Sequence, residues 1–262
     1  NEGYFEQYLI ENPGPISSVG IEHQSLKEAS AKLKAKSSKN ARHSLSDSVD
    51  LSDASFAHLH NHSQFSILQS TASISKLVNA AIDHKMPAVA LTDTGNMMGA
   101  FSFVKEILKH NENSEHPIKP IIGCEFYVCE DHKNRAYKDN GYQVVLLAKN
   151  KNGYHNLAKL SSIAYIDGFY YVPRIDKKLI EQYKEDVIAL SGNLYGEIPS
   201  KILNVGEKQA EEALLWWKAT FGDDFYLELN DHGQENEAHV NTTLLAFSEK
   251  HQVKVVAANN TY

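Results

Sequence analysis

From residue 56 to the end of the chain, short apolar, β-prone runs alternate with longer stretches whose apolar positions recur every three or four residues. The runs fall at 56–60, 87–91, 120–128, 143–148, 186–190, 225–229 and 253–257 and predict seven strands. The longer stretches fall at 73–84, 98–110, 153–165, 207–221 and 235–251 and predict amphipathic helices. In the fourth of these, Ala210, Ala213, Leu214, Trp217 and Phe221 form one stripe, which should pack on a sheet. Trp216 beside it is expected either to pack on the helix or to serve a rim contact. Repeated strand–helix units predict an α/β fold with a parallel sheet, open or closed into a barrel. Seven strands is one short of the standard eight-stranded α/β barrel, and no internal repeat suggests a solenoid.

Residues 1–55 follow no such rhythm. Between Lys27 and Arg42 the chain carries six basic residues against the single acid Glu28, with too few apolar positions to bury a face. This predicts a basic, largely irregular linker or arm over 1–55, acting either as a solvated tether or as a contact for DNA or another anionic partner. The chain as a whole, 262 residues with 26 Lys+Arg against 33 Asp+Glu, is acidic, which argues against an electrostatic nucleic-acid clamp. Two cysteines, Cys124 and Cys129, exclude a disulfide framework and suit a reducing, cytoplasmic setting. Five residues apart on a strand, they face opposite sides and cannot form a Cys-x-x-Cys pair, so both read as small buried fillers. No apolar stretch is long enough to span a membrane, and no signal peptide opens the chain. Without an initiator Met, the chain is expected to be a fragment or a processed product.

The most informative positions are the loops that leave the carboxyl ends of the predicted strands, where parallel α/β folds keep their chemistry. Polar groups recur there: His58, His60 and His62 in HLHNH, Asp93 and Thr94 in TDTGN, Glu125 in GCEF, Ser191 and Asn193 in LSGN, Asp231 and His232 in LNDHG, Asn259 and Asn260 in ANNTY. Histidines two apart along an extended chain point to one side. With Glu125 they are the material of a zinc, manganese or iron site able to activate water against a phosphate ester, or of a packed and hydrogen-bonded strand. No Gly-rich phosphate loop occurs.

The segments from His58 to Ser70, PAVALTDTGNMMGAFSF, KPIIGCEFYV, LLAKNKNGYHNLAKLSSIAYIDGFYYVPRID, ALSGNLYGEIP, FGDDFYLELNDHG and VVAANNTY together resemble the PHP (polymerase and histidinol phosphatase) domain of bacterial DNA polymerase III α subunits. The resemblance covers 56–262, with the motifs in order. It implies a distorted seven-stranded (β/α), TIM-like barrel of the PHP fold, preceded by the N-terminal extension. It also implies a parent chain that synthesises DNA in replication with a palm lying beyond Tyr262, so that this piece by itself should not polymerise DNA.

Family members with intact chemistry hold up to three metal ions. Carried over by the resemblance, the ligand positions retained here are His60, His62 and Glu125. Six others hold neutral groups: Gln69 for an acid, Thr94 for a histidine beside the retained Asp93, Gln143 for a histidine, Asn193 for a cysteine, and Asn260 and Tyr262 for the closing Asp and His. A multi-ion cluster needs bridging anions and several donors per ion, whereas amides can hydrogen-bond one another with no charge to neutralise. The expectation is therefore a degenerate site, with no cofactor or at most one weakly held divalent ion such as zinc on His60, His62 and Glu125. The role implied is structural: packing on the palm and thumb of the parent chain, docking of a proofreading exonuclease module, and access to DNA only through the polymerase. The alternative is a metal-dependent phosphoesterase or 3′–5′ exonuclease. His232 with Asp231 is expected to form a structural pair, and Phe169, Tyr170 and Tyr171 before Pro173 and Arg174 to pack under a loop.

Overall fold

A computed structural model describes residues 55–262. The basic arm expected over 1–55 therefore lies, but for its last residue, outside the described residues. The strands are β1 (Ala88–Leu91), β2 (Lys119–Cys129), β3 (Tyr142–Ala148), β4 (Arg174–Asp176), β5 (Val187–Leu190), β6 (Phe225–Leu229) and β7 (Lys254–Ala257). The helices are α1 (Ile74–Asp83), α2 (Ala100–Asn111), α3 (Lys151–Ile166), α4 (Lys177–Tyr183), α5 (Glu197–Asn204), α6 (Glu207–Phe221) and α7 (Glu235–His251).

Alternation along the strands sends one set of side chains to each face. Val144 and Leu146 of β3, with Phe126, Ala189 and Leu227, meet the stripes of α3 to α7, including Leu157, Leu214 and Trp217. Val89, Leu91 and Ile122 meet α1 and α2 through Val78, Phe103 and Ile107. The opposite face gathers Ala88, Ala90, Ile121, Val145, Leu147, Ile188 and Leu190 with Ala57 and Leu59. Tyr226 and Val256 pack against that same inner cluster, although β6 and β7 stand at the far end of the order β1-β2-β3-β5-β6-β7 from β1. The sheet is therefore curled, with helices on its convex side.

Two features differ from the expected parallel sheet. β3 runs antiparallel to both neighbours, β2 and β5, while β1 with β2, and β5 with β6 and β7, are parallel. Its amino end, not its carboxyl end, thus reaches the site, bringing Gln143 there on the inner face it shares with Val145. The expected strand at 56–60 is reduced to isolated bridges, His58 with Val89 and Asn61 with Thr261. Asn61 Nδ2 donates to the Ala90 carbonyl (2.9 Å), and its backbone N–H donates to Thr92 Oγ1 (2.9 Å), so side chains replace ladder bonds there. The segment nonetheless bonds on both flanks: Ala90 N–H to His58 O at 2.8 Å, and His62 N–H to Thr261 O at 2.8 Å.

Three elements lie outside the sequence expectation. β4 is only three residues long and pairs parallel with the end of β2. α4 starts at once behind it, its N-cap Asp176 accepting the Leu179 N–H at 3.0 Å. α5 contains Pro199, but at the third helical position, where a missing N–H costs nothing because no carbonyl awaits it. Cys124 and Cys129 are both buried free thiols, and Trp216 packs at the edge of the core with Lys177 Nζ 4.5 Å above its ring.

Candidate metal centre at the mouth of the sheet

The inner face is apolar at one end and polar at the other. In β2, Ile121 and Glu125 share that face; in β6, Tyr226 and Glu228 do. Beyond Leu59, His60 and His62 turn into the polar end, fully buried, their ring centroids 5.1 Å apart. His58 does not join them: it is half-buried, packs edge-on to Phe56, and bridges to β1. Donor atoms of His60, His62 and Glu125 lie within 4.8 Å of one another.

Glu228 was not anticipated from the sequence. His60 Nδ1 lies 2.8 Å from Glu228 Oε1, and its Nε2 lies 3.1 Å from Glu125 Oε2, so one ring is held between two buried carboxylates. Burial alone would depress the His60 pKa; Glu228 and then Glu125 override it and raise it to about 10. Glu125 is likewise subject to a burial penalty, which His60 and His62 outweigh, leaving its carboxyl below the usual range. His62 is different. Its pKa falls to about 4, chiefly by burial, with Glu125 offsetting only part. Its Nδ1 faces Ser66 Oγ at 3.1 Å and Thr94 Oγ1 at 3.2 Å, while its buried Nε2, 3.8 Å from Glu125 Oε2, has no hydrogen-bond partner among the described residues.

The retained Asp93 is not a donor to this group. It accepts the Ser63 N–H (2.6 Å), the Ser63 hydroxyl (2.7 Å) and the Ser66 hydroxyl (2.7 Å), which pins the turn after His62. The substituted positions are spread around the same mouth. Thr94 Oγ1 lies 2.9 Å from Gln69 Oε1 and 3.0 Å from Glu125 Oε1, filling space beside the carboxylate. The Tyr262 ring stacks on His62 at 4.2 Å and 4°, and burial pushes its phenol up to about 12. Gln143 Oε1, Asn193 Nδ2 and Asn260 Oδ1 are buried without a well-formed hydrogen bond among the described residues.

His232 is paired, but not with Asp231. Its Nδ1 lies 2.6 Å from Glu237 Oε1, and Glu237 Oε2 accepts the His232 and Gln234 N–H groups, closing the start of α7. Asp231 instead accepts the Gly233 N–H. A second His–acid group, Asp131, His132 and Asp176, lies in and beside the loop after β2. There His132 Nδ1 lies 2.5 Å from Asp176 Oδ2, and Asp176 also caps α4, so the group fastens the loop to the helix. Phe169 and Tyr171 are exposed rather than packed beneath a loop; Tyr170 instead stands against Arg174, 5.3 Å from ring centre to guanidinium.

The donor chemistry suits one ion better than several. Two imidazoles and a carboxylate match zinc, and His62 Nε2, buried and without a hydrogen-bond partner among the described residues, is one of the three grouped ligand atoms. A polynuclear cluster does not fit: both His60 nitrogens are taken by carboxylates, Asp93 is bound by serines, and a phenol ring covers His62.

Comparisons with known proteins show a family. The family model described as PHP domain matches residues 58–232. A DNA polymerase III subunit alpha of Borreliella burgdorferi is 43% identical over 211 residues, 79% of this chain and 18% of that one. The corresponding subunit of Aquifex aeolicus is 38% identical over 217 residues, with the same coverage of 79% and 18%. The chain thus spans about a fifth of the length of these curated relatives. Among solved structures, an amidohydrolase from Chromobacterium violaceum, with bound sulfate and no metal, aligns over 78% of this chain and 87% of that one at TM-score 0.50 and 10% identity, a likeness of fold alone.

Proposed function

The chain belongs to the PHP domain family, and we propose that it serves as the PHP domain of a bacterial replicative DNA polymerase III α chain, a structural and docking module whose metal site has been dismantled. In this reading, residues 56–262 form a distorted seven-stranded barrel in which the His58–His62 segment closes the gap between β1 and the residues after β7. Residues 1–55 are its basic arm, the setting is cytoplasmic, and the partners are the palm and thumb of the same chain, with a proofreading exonuclease module as a further docking partner. DNA is met through the polymerase. Among the described residues, no helix is long and apolar enough to cross a membrane.

The observation that carries the reading is the His60 clamp. Glu125 and Glu228 are compensated by the protein's own side chain, and the six substituted ligand positions hold a hydroxyl, amides or a phenol. Divalent ions at close range need anionic bridges that these groups cannot supply. Metal content of protein purified without chelator, measured together with 3′–5′ cleavage of single-stranded DNA in added Mn²⁺ or Zn²⁺, tests it. Substoichiometric metal and no cleavage are expected; one or more ions per chain with metal-dependent cleavage overturn the reading. The docking role is tested by removing residues 56–262 from the full-length polymerase, which should cost the polymerase its stability.

The rival, a metal-dependent phosphoesterase or 3′–5′ exonuclease, draws on the orphaned His62 Nε2. His60, His62 and Glu125 would hold the single ion, and His60 would first have to release Glu125.

A further inference from the structure

Beside the mouth lies an open cleft of about 540 Å³ between the turn after β5, α5 and the start of α7. Two of the substituted positions, Asn193 and Asn260, belong to its wall, joined by Asn204, Gln234, Asn236 and Tyr195. The wall is rich in amides. Among the described residues that line it there is no lysine or arginine, and its one His–acid pair, His232 with Glu237, compensates itself.

The amides at the mouth are not satisfied by the protein. Asn193 is 8% exposed, and its Oδ1 accepts the Tyr195 N–H at 2.8 Å, which fixes the orientation of the amide. Among the described residues its Nδ2 is then a buried donor with no partner, and Asn260 Oδ1 is a buried acceptor with no well-formed hydrogen bond, its amide standing near His62 and Tyr262. Buried polar atoms left unpaired cost about 1–3 kcal/mol each, so such a pair in the wall of an open cleft calls for a ligand that supplies both complements.

The surrounding turn is rigid. Gly192 adopts φ +78°, a conformation that favours glycine. Ser191 N–H donates to Tyr226 O at 3.0 Å, Gly196 N–H to Asn193 O at 2.8 Å, and Gln143 N–H to Tyr195 O at 3.0 Å. On this fixed turn the Tyr195 ring stands 72% exposed at the edge of the cleft. A neutral wall that carries both a donor and an acceptor amide, with an exposed aromatic face at its edge, matches a flat, uncharged molecule with a mixed hydrogen-bonding edge. It offers no cation to hold a phosphate.

We propose that this cleft binds a nucleobase, Asn193 donating to its edge and Asn260 accepting from it, with Tyr195 stacked on its face. The inference deepens the reading of the mouth as a dismantled metal site, on which it rests, by giving the replacing amides a ligand. The base comes from a free nucleoside or from the unpaired end of a strand.

The 262-residue chain is titrated, by saturation-transfer NMR and tyrosine fluorescence, with the four 2′-deoxynucleosides, with 2-deoxyribose 5-phosphate as a probe lacking the base, and with a short oligothymidylate. Binding of at least one deoxynucleoside or of the oligonucleotide, and none of the sugar phosphate, is expected. Asn193→Leu and Tyr195→Ala should each weaken it about tenfold, equivalent to about 1.4 kcal/mol, while Tyr195→Phe retains it. Oligonucleotide binding without nucleoside binding, with the same variant effects, assigns the base to a strand end; nucleoside binding assigns it to the free molecule. Equal binding of the sugar phosphate, unchanged affinity in both variants, or no binding by protein that melts cooperatively overturns the inference. Metal content of the same samples separates the two claims: an ion on each chain with base binding intact sinks the dismantled-site reading alone, whereas metal-free protein that binds no base sinks this one alone.

Discussion

Among the described residues, His60 and Arg174 are both sealed inside the fold, and they are accommodated in opposite ways. His60 is held between the carboxylates of Glu125 and Glu228. Arg174, 1% exposed, is met by carbonyls: Nε donates to Gly168 O, Nη1 to Asp139 O, and Nη2 to His132 O and Asn134 O. The first arrangement sits where the resemblance expects metal, and the imidazole supplies the compensation that an ion would otherwise give. Among the described residues the second has no carboxylate as a hydrogen-bond partner; it uses the donor-rich guanidinium to gather the irregular loop between β2 and β3 against β4. A buried cation therefore fastens a loop in one place and balances two buried carboxylates in the other, and only its partners tell which.

The sharpest way to break this contrast is to delete each cation. His60→Leu leaves two buried carboxylates without their partner, and removing one member of a buried pair typically costs about 3–5 kcal/mol. Urea denaturation should show that loss, and acidification should recover part of it, because protonating Glu125 or Glu228 relieves the repulsion. A loss under about 1 kcal/mol would mean the carboxylates are not compensated by His60. Arg174→Met strands four carbonyls but no charge, so a smaller loss of about 2–4 kcal/mol is expected, part of it relieved by water reaching the loop. Acid should not recover it. Arg174→Lys should restore only part, since one ammonium cannot match the fork.

Alkaline pH sharpens the same comparison. The His60 pKa is raised from 6.5 to about 10 in the folded protein. Its contribution to stability is thus fully present below pH 6.5 and is lost as pH climbs through about 10. Denaturation midpoints measured between those values should fall in the parent protein and fall less in His60→Leu. Parallel slopes would place the titrating group elsewhere.

Much of the architecture was legible in the residues. α6 and α7 were expected over 207–221 and 235–251 and are found as Glu207–Phe221 and Glu235–His251. Both have strong boundary signals, a glycine on either side of α6 and an acid-rich first turn in α7. The reversal of β3 was not legible, because alternation has the same parity whichever way a strand runs. β4 was too short to show any period. At the site, His60, His62 and Glu125 come together, whereas His58, which the same spacing put on their face, does not join them. Glu228 was missed because an acid amid Phe225, Leu227 and Leu229 looks like the solvent face of an edge strand, whereas curling turns that face inward. The role of Asp93 was hidden for another reason: its serine partners lie about thirty residues earlier, and only the fold brings them together.

The smallest effect is expected at His232, whose half-exposed pairing with the buried Glu237 is the control for the fully buried clamp. His232 has its pKa raised, foremost by the hydrogen bond to Glu237, and Glu237 has its own lowered, His232 overriding the burial penalty. The signs resemble those at the mouth, but the His232 side chain is 36% exposed. Water and salt screen such a pair, so His232→Gln should cost less than about 1 kcal/mol, most of it gone in high salt. Glu237→Ala should cost more, about 1 kcal/mol, because it also opens the first turn of α7. The His232 contribution is present below its ordinary 6.5 and fades as pH rises through the raised value, so the variant and the parent should converge at alkaline pH. If His232→Gln instead matched His60→Leu in magnitude, burial would not be what separates a fastening charge from a surface one, and the account of the mouth as a compensated remnant would lose its physical basis.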